Sequence, residues 1–258
     1  MRMPAIHVTF SFEAPLILPI NYQHLLQSFV YKILPQEEAT QLHEEGFQHN
    51  NRTYKLFCFS SLQSPKTLYD KNTKKITFHD KIILSISSII PEIIEKTANF
   101  LILSEDLKIR GYSIKLHSLE FDKLQVNEDT LIVKAVSPIT VYSTYEKRDG
   151  KKITHYFTPF DKVFEHLIEE NFIRKYEAFT KKPLSEQGQV LSVEPIKVNK
   201  WDKVVTNYKG TWITGWKGKY QLKAKAEYLS FLLNTGLASK NSSGFGMILP
   251  ENTLPTRD

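Results

Sequence analysis

The side chain best placed for proton transfer is His43, which falls in the last turn of a predicted helix over residues 36–45. The partial negative charge at a helix C-terminus stabilises an imidazolium, and the neighbouring Glu44 and Glu45 act in the same direction. Such a histidine can serve as a general acid near neutral pH. Its position also fits an ordinary surface histidine at a helix end, which is the more common case.

Three further side chains could contact a phosphate close to this histidine. Tyr31 shares the polar face of the preceding predicted helix with His24 and Ser28, at the spacing i, i+4 and i+7. Arg52 and Lys55 flank the start of the next predicted strand, near enough in sequence to meet one phosphate. A tyrosine on a solvated face and charges at a strand end are also common without any function, so both interpretations stay open.

These residue types suit acid–base chemistry on RNA, which carries its own nucleophile in the 2′-hydroxyl group. The reaction needs a base for the hydroxyl proton, an acid for the 5′-oxygen leaving group and a cation beside the phosphorane. The chain has no P-loop, no Gly-x-Gly-x-x-Gly after a strand and no His-Glu-x-x-His, and its acids are scattered. We therefore expect neither a metal site nor a cofactor.

A small, polar, glycine-flanked segment over residues 236–246 lies between a predicted helix and a short predicted strand. Glycine lets backbone N–H groups approach an anion closely, because it lacks a side chain and tolerates positive φ. A helix C-cap followed by a tight turn explains the same composition equally well. The candidate anion-binding residues are Gly236, Lys240, Asn241, Ser242, Ser243, Gly244, Phe245 and Gly246.

The net charge of +6 is concentrated in the second half of the chain. Residues 197–225 contain eight lysines and a single acid, Asp202, together with all three tryptophans. Lysines neutralise phosphates and aromatic rings stack on bases, so this composition favours a nucleic-acid partner, with Lys217 and Lys219 as candidate contacts. The alternative is a twisted hairpin whose aromatic residues face the core and whose lysines are solvated.

The composition limits the class of protein. With 258 residues and a sizeable apolar fraction, the chain can form two domains, each with a core. The single cysteine, Cys58, excludes an intramolecular disulfide and a cysteine-based zinc site. Residues 1–20 contain His7, Glu13 and several prolines, which is atypical of a secretory signal, and no apolar run has membrane-spanning length. We expect a cytoplasmic protein without membrane contact.

Hydrophobic periodicity predicts an α+β fold in which each half follows the order β-α-β-β-α-β, the ferredoxin-like arrangement. The expected domains are residues 1–125, which carry the candidate catalytic residues, and 126–258, which carry the basic surface and the glycine-rich loop. In the first half, strands are predicted at 6–12, 54–60, on both sides of a turn at 70–73, at 82–90 and at 107–121, with helices capped by Asn21, over 36–45 and from Pro91 to 103. In the second half, strands are predicted at 130–136, around a turn at 147–151, within 189–224 and at 247–249, with helices starting at Thr158-Pro159 and over 225–234.

Two motifs resemble a known family. The segment Gly236-Leu237-Ala238, continued by Gly244-Phe245-Gly246, resembles the C-terminal glycine-rich signature of the CRISPR repeat-processing endoribonucleases of the RAMP superfamily. Residues 42–47 and 55–60 are similar to the family's N-terminal histidine region and the strand that follows it. One departure is Ala238, which stands where the signature has its second glycine.

The resemblance implies tandem ferredoxin-like domains and metal-independent cleavage of CRISPR precursor RNA, with 5′-OH and 2′,3′-cyclic phosphate ends. The family's catalytic histidine and tyrosine would correspond to His43 and Tyr31, and its lysine to Lys55 or Arg52. The implied partner is CRISPR repeat RNA, with a CRISPR effector complex as a further candidate and both a monomer and a homodimer open.

Some members of this family bind RNA without cutting it, so a non-catalytic RNA-binding subunit of a CRISPR effector complex is the alternative function. A third interpretation, a different RNA-modifying enzyme with tandem ferredoxin-like domains, would require a cofactor site that the sequence does not suggest.

Overall fold

The computed structural model describes residues 4–35, 46–50, 52–184 and 188–251. Within these ranges, the first half of the chain has ten strands and two α-helices. These are β1 (Ala5–Ser11), β2 (Leu16–Pro19), α1 (Gln23–Ile33), β3 (Phe47–His49), β4 (Arg52–Tyr54), β5 (Phe57–Phe59), β6 (Thr67–Asp70), β7 (Lys75–Phe78), β8 (Lys81–Ser88), α2 (Pro91–Leu103), β9 (Leu107–Ile109) and β10 (Tyr112–Asp122).

The second half has seven described strands and two α-helices. These are β11 (Thr130–Ile139), β12 (Tyr142–Glu146), β13 (Lys152–Tyr156), α3 (Val163–Thr180), β14 (Ser192–Lys197), β15 (Lys203–Tyr208), β16 (Thr211–Lys223), α4 (Ala226–Thr235) and β17 (Ile248–Pro250). Short 3-10 turns add Lys200–Asp202 and Asn241–Ser243.

Both halves have the predicted ferredoxin-like topology. The first sheet has the order β5-β8-β1-β10-β9, and the second has the order β14-β16-β11-β17 with β15 paired to β16. In each sheet the first core strand lies between the third core strand and the last one: β1 lies between β8 and β10, and β11 lies between β16 and β17. All four of these pairs are antiparallel. The helices follow the first and third of these core strands, which completes the order β-α-β-β-α-β twice.

Alternation along β1 gives the first sheet two buried faces. Ile6, Val8 and Phe10 lie in a core with residues of α1 and α2, as the hydrophobic pattern predicts. Ala5, on the opposite face, belongs instead to the core that α3, α4 and the second sheet share. The Ser87 hydroxyl on β8 donates to the carbonyl of Leu233 on α4 at 3.2 Å. The two halves therefore pack directly against each other.

Two predicted strands are each divided in the structure. The predicted strand over 54–60 is interrupted at Leu56, which adopts φ +47, so that β4 pairs with β3 while β5 joins the first sheet. The predicted strand over 107–121 is a hairpin, because Arg110 and Gly111 both have positive φ and reverse the chain between β9 and β10.

Two helix starts also differ from the prediction. Asn21 does not cap α1, because its side-chain oxygen accepts hydrogen bonds from the Thr206 hydroxyl and the Asn207 N–H instead. Helix α3 begins at Val163, a few residues after Thr158-Pro159. The predicted helix over 36–45 lies outside the described residues, and the domain boundary at 125/126 stays a prediction.

The other predicted elements are confirmed within small shifts of their ends. None of the helices in the described part of the chain is long and apolar enough to cross a membrane.

Candidate active site

A cleft of about 770 Å³ runs between β4 and the segment after it, helix α3, strand β12 and the glycine-rich loop. Its lining carries a clear excess of positive charge, because Glu170 is the single acid among the described lining residues. A low-dielectric cleft of one sign attracts a polyanion such as RNA. The basic residues that line it are Arg52, Lys55, Arg174, Lys175 and Lys240.

Tyr31 and Lys55 meet at the edge of this cleft. The Lys55 Nζ donates to the Tyr31 hydroxyl at 3.1 Å and lies 5.2 Å from the centre of its ring. Tyr31 in turn packs edge-on against Phe57, with ring centres 5.7 Å apart. Tyr31 is therefore half-buried against β5. The prediction that its side chain lies on a solvated face of the helix is wrong.

The other two candidate catalytic residues have different positions. Arg52 is exposed on β4 and lines the same cleft as Lys55. His43 lies outside the described residues, so its role stays a prediction.

The glycine-rich loop is held from both halves of the chain. From α1, the Gln23 Nε2 donates to the carbonyl of Gly244 at 2.5 Å, and the Gln27 Nε2 donates to that of Ser242 at 3.0 Å. From α3, the Lys175 Nζ donates to the carbonyl of Gly236 at 2.5 Å. The loop's position is therefore set by long-range contacts.

A second set of bonds closes the loop upon itself through Asn241. Its Nδ2 donates to the carbonyls of Leu237 and Phe245, both at 3.0 Å, and its Oδ1 accepts from Lys175 at 3.2 Å. The Leu237 N–H donates to the carbonyl of Gly246 at 2.7 Å. Asn241 therefore acts as an internal brace.

The predicted anion cradle does not form at the loop's glycines and Phe245. All four residues are buried, and their N–H groups donate to carbonyls within the protein. The acceptors are Leu232 for Gly236, Asn241 for Gly244, Lys240 for Phe245 and Pro138 for Gly246. The expectation that these four residues contact an anion directly is corrected in this structure, where they shape the loop.

Close packing explains why glycine is needed at these positions. A Cβ at Gly246 would lie 2.0 Å from the carbonyl oxygen of Leu237, and one at Gly244 would lie 1.9 Å from the Gln23 Nε2. Both glycines also have positive φ. Ala238, which departs from the family signature, adopts φ +58, so this alanine accepts the left-handed conformation.

The half-buried middle of the loop faces the cleft. Lys240, Asn241 and Ser242 line the cleft. The Lys240 Nζ lies 5.1 Å from the ring centre of Tyr142, which lines the cleft from β12. Ser243 is not among the lining residues, and its hydroxyl accepts from the Gln27 Nε2 at 3.3 Å. The structure therefore brings part of the loop together with Lys55.

Lys217 and Lys219 are not part of this cleft. Lys217 lines a second cleft of about 680 Å³ with Lys134 and Lys81, and burial lowers its pKa, as does the nearby Lys134. Lys219 is paired with Glu251.

The tryptophans of residues 197–225 are divided between core and surface. Trp216 is buried, whereas Trp201 and Trp212 are exposed. Neither core packing nor exposure for stacking on bases therefore describes all three.

Sequence reasoning missed the polar residues of α3 that line the cleft. Asn171 and Lys175 occupy the buried stripe of this helix together with Ile168 and Phe172. Polar residues at core positions of an amphipathic helix are unusual, and this was the available signal.

Among the residues described in the structure, no three of the types His, Cys, Asp and Glu gather into a group that could hold a metal ion.

Comparison with known proteins agrees with this geometry. The C-terminal model of the CRISPR-associated protein Cas6 matches residues 119–249, and the N-terminal Cas6 model matches residues 17–120. The chain belongs to the Cas6 family. It is 29% identical to CRISPR-associated endoribonuclease Cas6 1 of Methanocaldococcus jannaschii, over 90% of this chain and 87% of the relative. It is 26% identical to CRISPR-associated endoribonuclease Cas6 of Pyrococcus furiosus, over 93% and 86%.

Solved structures confirm the Cas6 fold. A Cas6-related protein from Pyrococcus furiosus has a TM-score of 0.82 at 20% identity and covers 98% of this chain and 100% of its own. A RAMP protein that binds different RNA substrates has a TM-score of 0.78 at 21% identity, with 96% and 99% covered. Both support tandem ferredoxin-like domains.

Alanine substitutions test the packing of the loop. Gly246→Ala should lower the free energy of unfolding by about 2 kcal/mol or more, because its Cβ meets the fixed carbonyl of Leu237. Ala238→Gly should stay within about 1 kcal/mol of the wild type, because relief of the left-handed strain offsets the extra freedom of the unfolded chain. Urea unfolding measures both. Equal effects of the two changes would contradict this account of the loop.

The buried Lys175 predicts a pH-dependent stability. Burial lowers its pKa from 10.5 to about 7, partly opposed by Cys58, so above pH 7 the unfolded chain binds the proton more strongly. The free energy of unfolding should therefore rise from pH 7 to 9, by at most about 1.4 kcal/mol per pH unit. Above pH 9 the buried thiol of Cys58, with its pKa raised to about 11, acts in the opposite direction.

The comparison variant for this measurement is Lys175→Met, which removes the titrating group. Its unfolding free energy should lack the extra rise between pH 7 and 9, while the exposed control Lys182→Met should keep it. A wild type and a Lys175→Met protein with parallel pH profiles would show that the ammonium is not titrating in that range.

Proposed function

We propose that this protein is an endoribonuclease that binds CRISPR precursor RNA and cuts within the repeat to generate guide RNAs. Membership of the Cas6 family supports this function, as do relatives named CRISPR-associated endoribonucleases that align over most of their length. The observation that carries the proposal is the Lys55–Tyr31 contact at a basic cleft that the glycine-rich loop also lines.

In the proposed reaction the 2′-oxygen of one nucleotide attacks the adjacent phosphorus while its proton passes to a base. The bond from phosphorus to the 5′-oxygen breaks, and an acid protonates that oxygen. The products carry a 2′,3′-cyclic phosphate and a 5′-hydroxyl group, and the step requires no metal ion. We assign the acid to His43, whose chemistry suits proton donation near neutral pH.

We assign the phosphate-stabilising cation to Lys55 in preference to Arg52. Lys55 is half-buried and held by the Tyr31 hydroxyl, so its ammonium group is already oriented and partly desolvated. A preorganised cation at such a site stabilises developing charge more than a solvated one does. Arg52 is exposed, so it is better suited to long-range attraction of the RNA backbone.

The loop binds the RNA backbone in this proposal. Lys240 offers a charge and Ser242 a hydroxyl group toward the cleft, whereas the buried glycines supply the shape that positions them. Lys217, in the second cleft, is a separate candidate contact for a more distant part of the RNA.

Cleavage of a CRISPR repeat RNA in EDTA tests the reaction type. We expect a single cut within the repeat, and a 2′-deoxyribose at the scissile nucleotide should abolish it because the nucleophile is missing. Mapping of the product ends checks the cyclic phosphate and the 5′-hydroxyl group. Cleavage of the deoxy substrate would exclude the 2′-hydroxyl mechanism, and tight binding without any cut would favour the non-catalytic RNA-binding subunit.

Single substitutions test the residue roles. His43→Ala should abolish cleavage and leave RNA binding intact, and Lys55→Ala should reduce the rate at saturating RNA about 100-fold, as for removal of a transition-state donor. Arg52→Ala should mainly weaken RNA binding and should leave the cleavage rate at saturating RNA unchanged. Lys75→Ala, an exposed lysine of β7 outside the cleft, is the matched control. If Arg52→Ala slows the saturated rate as strongly as Lys55→Ala, our assignment of the cation is wrong.

A further inference from the structure

Strands β12 and β13 form a two-stranded hairpin that is separate from both main sheets. The hairpin lies between β11 and α3 in the chain, where the ferredoxin-like arrangement requires no strands. Every residue from 144 to 155 is exposed, so both faces of the hairpin are open to solvent over this length. The hairpin therefore contributes no core packing there, and its presence calls for another explanation.

The base of the hairpin is a wall of the cleft. The residues that line the cleft from β12 are Tyr142, Ser143, Thr144 and Tyr145. Lys240 of the glycine-rich loop lies over the ring of the first of them. Among the described lining residues, none comes from 146–156, so the hairpin leaves the cleft after Tyr145. A ligand that fills the cleft and continues along this wall meets the rest of the hairpin.

Tyr145 and Ile153 form an exposed apolar pair on the hairpin. They lie directly opposite each other in the antiparallel register, so their side chains are on the same face. Tyr145 is 54% exposed and Ile153 is 43% exposed. An exposed aromatic ring at a basic cleft offers a flat surface on which a nucleotide base can stack.

The tip of the hairpin is basic. Residues 146–152 contain four cationic side chains and two acids. The cations are Lys147, Arg148, Lys151 and Lys152. Within the described part of the chain, Lys151 alone among them has an ion pair, at 3.8 Å from Asp149. The other three can therefore pair with phosphate groups, and this charge favours a nucleic acid as the ligand.

We infer that the β12–β13 hairpin is an RNA-binding arm that holds a single-stranded segment of the RNA where it leaves the cleft. The inference rests on the proposed function for its ligand class, RNA. Tyr145 stacks on one base of this segment, and the cations of the tip contact its phosphates. The segment is single-stranded, because an unpaired base presents its face to a ring, whereas a base within a double helix is stacked on its neighbours.

Affinity for uncut RNA tests the arm independently of cleavage. The probe is a fluorescently labelled CRISPR repeat RNA with 2′-deoxyribose at the scissile nucleotide, or the unmodified repeat RNA if the protein makes no cut. Tyr145→Val should weaken binding about tenfold, because valine favours the strand but lacks the stacking surface. Tyr145→Phe keeps the ring and should bind within about twofold of the wild type.

Tyr69→Val is the matched control. Tyr69 is 48% exposed and lies opposite Ile76 in the β6–β7 pair, so it repeats the tyrosine–isoleucine pair at a place that is not among the lining residues of the cleft. This variant should bind RNA as the wild type does. Wild-type affinity in Tyr145→Val, or equal weakening by both valine substitutions, would overturn the inference.

The salt dependence of binding tests the tip separately. Each phosphate contact of a single strand contributes about 0.7 to the slope of log K against log salt. Changing Lys147, Arg148 and Lys152 together to glutamine should therefore reduce the magnitude of that slope by about 2. An unchanged slope would contradict the phosphate contacts. The control has the same three changes at the exposed residues Lys71, Lys74 and Lys75.

Failure of the proposed function is a separate result. A wild type that binds repeat RNA through Tyr145 but does not cut it would refute the endoribonuclease and retain the arm. A wild type that cuts the repeat, together with a Tyr145→Val protein of unchanged RNA affinity, would refute the arm and retain the endoribonuclease.

Discussion

The arrangement of the cleft depends on hydrogen bonds that hold the glycine-rich loop from two sides. Gln23 and Gln27, in the first half of the chain, each donate a hydrogen bond to a backbone carbonyl of the loop. Lys175, in the second half, donates to a third loop carbonyl. The loop itself connects α4 to β17, so it is a fixed part of the second half. These bonds hold the loop against the first half of the chain, so that Lys55 and Lys240 line one cleft.

Polar groups in this region are buried at a cost to stability. The side chain of Lys175 is almost fully buried, which lowers its pKa, and the Oδ1 of Asn171, another residue of the cleft lining, is buried without a hydrogen-bond partner. Elsewhere the two cores consist mainly of apolar side chains. Functional sites are where a chain tolerates such unfavourable burial.

Local patterns predicted the elements that have a clear hydrophobic period. The alternation of Ile6, Val8 and Phe10 predicted β1, and the stripe from Leu26 to Ile33 predicted α1. The break at Leu56 could not be predicted, because a leucine gives no local signal for positive φ. That break is the reason why β4 leaves the first sheet and brings Tyr54 and Lys55 to the cleft.

The candidate site was predicted in part. Tyr31, Arg52 and Lys55 were selected for their chemistry, and the structure places Tyr31 against Lys55 with both basic residues at the cleft. The loop was selected for its glycines, whose N–H groups turn out to be used within the protein. Composition shows which backbone conformations a loop can adopt, whereas the partners of its N–H groups depend on what packs around it.

The sequence by itself determined the fold class, the order of the elements and the residue types available for chemistry, because periodicity and side-chain chemistry are local properties. The tertiary structure alone decided that Lys55 contacts Tyr31, that Lys240 lines the same cleft and that the polar residues Asn171 and Lys175 of α3 are buried beside it. These relations join residues far apart in the chain. They are fixed by the packing of the two sheets and by the bonds that Gln23 and Lys175 make to the loop, and no local pattern encodes them.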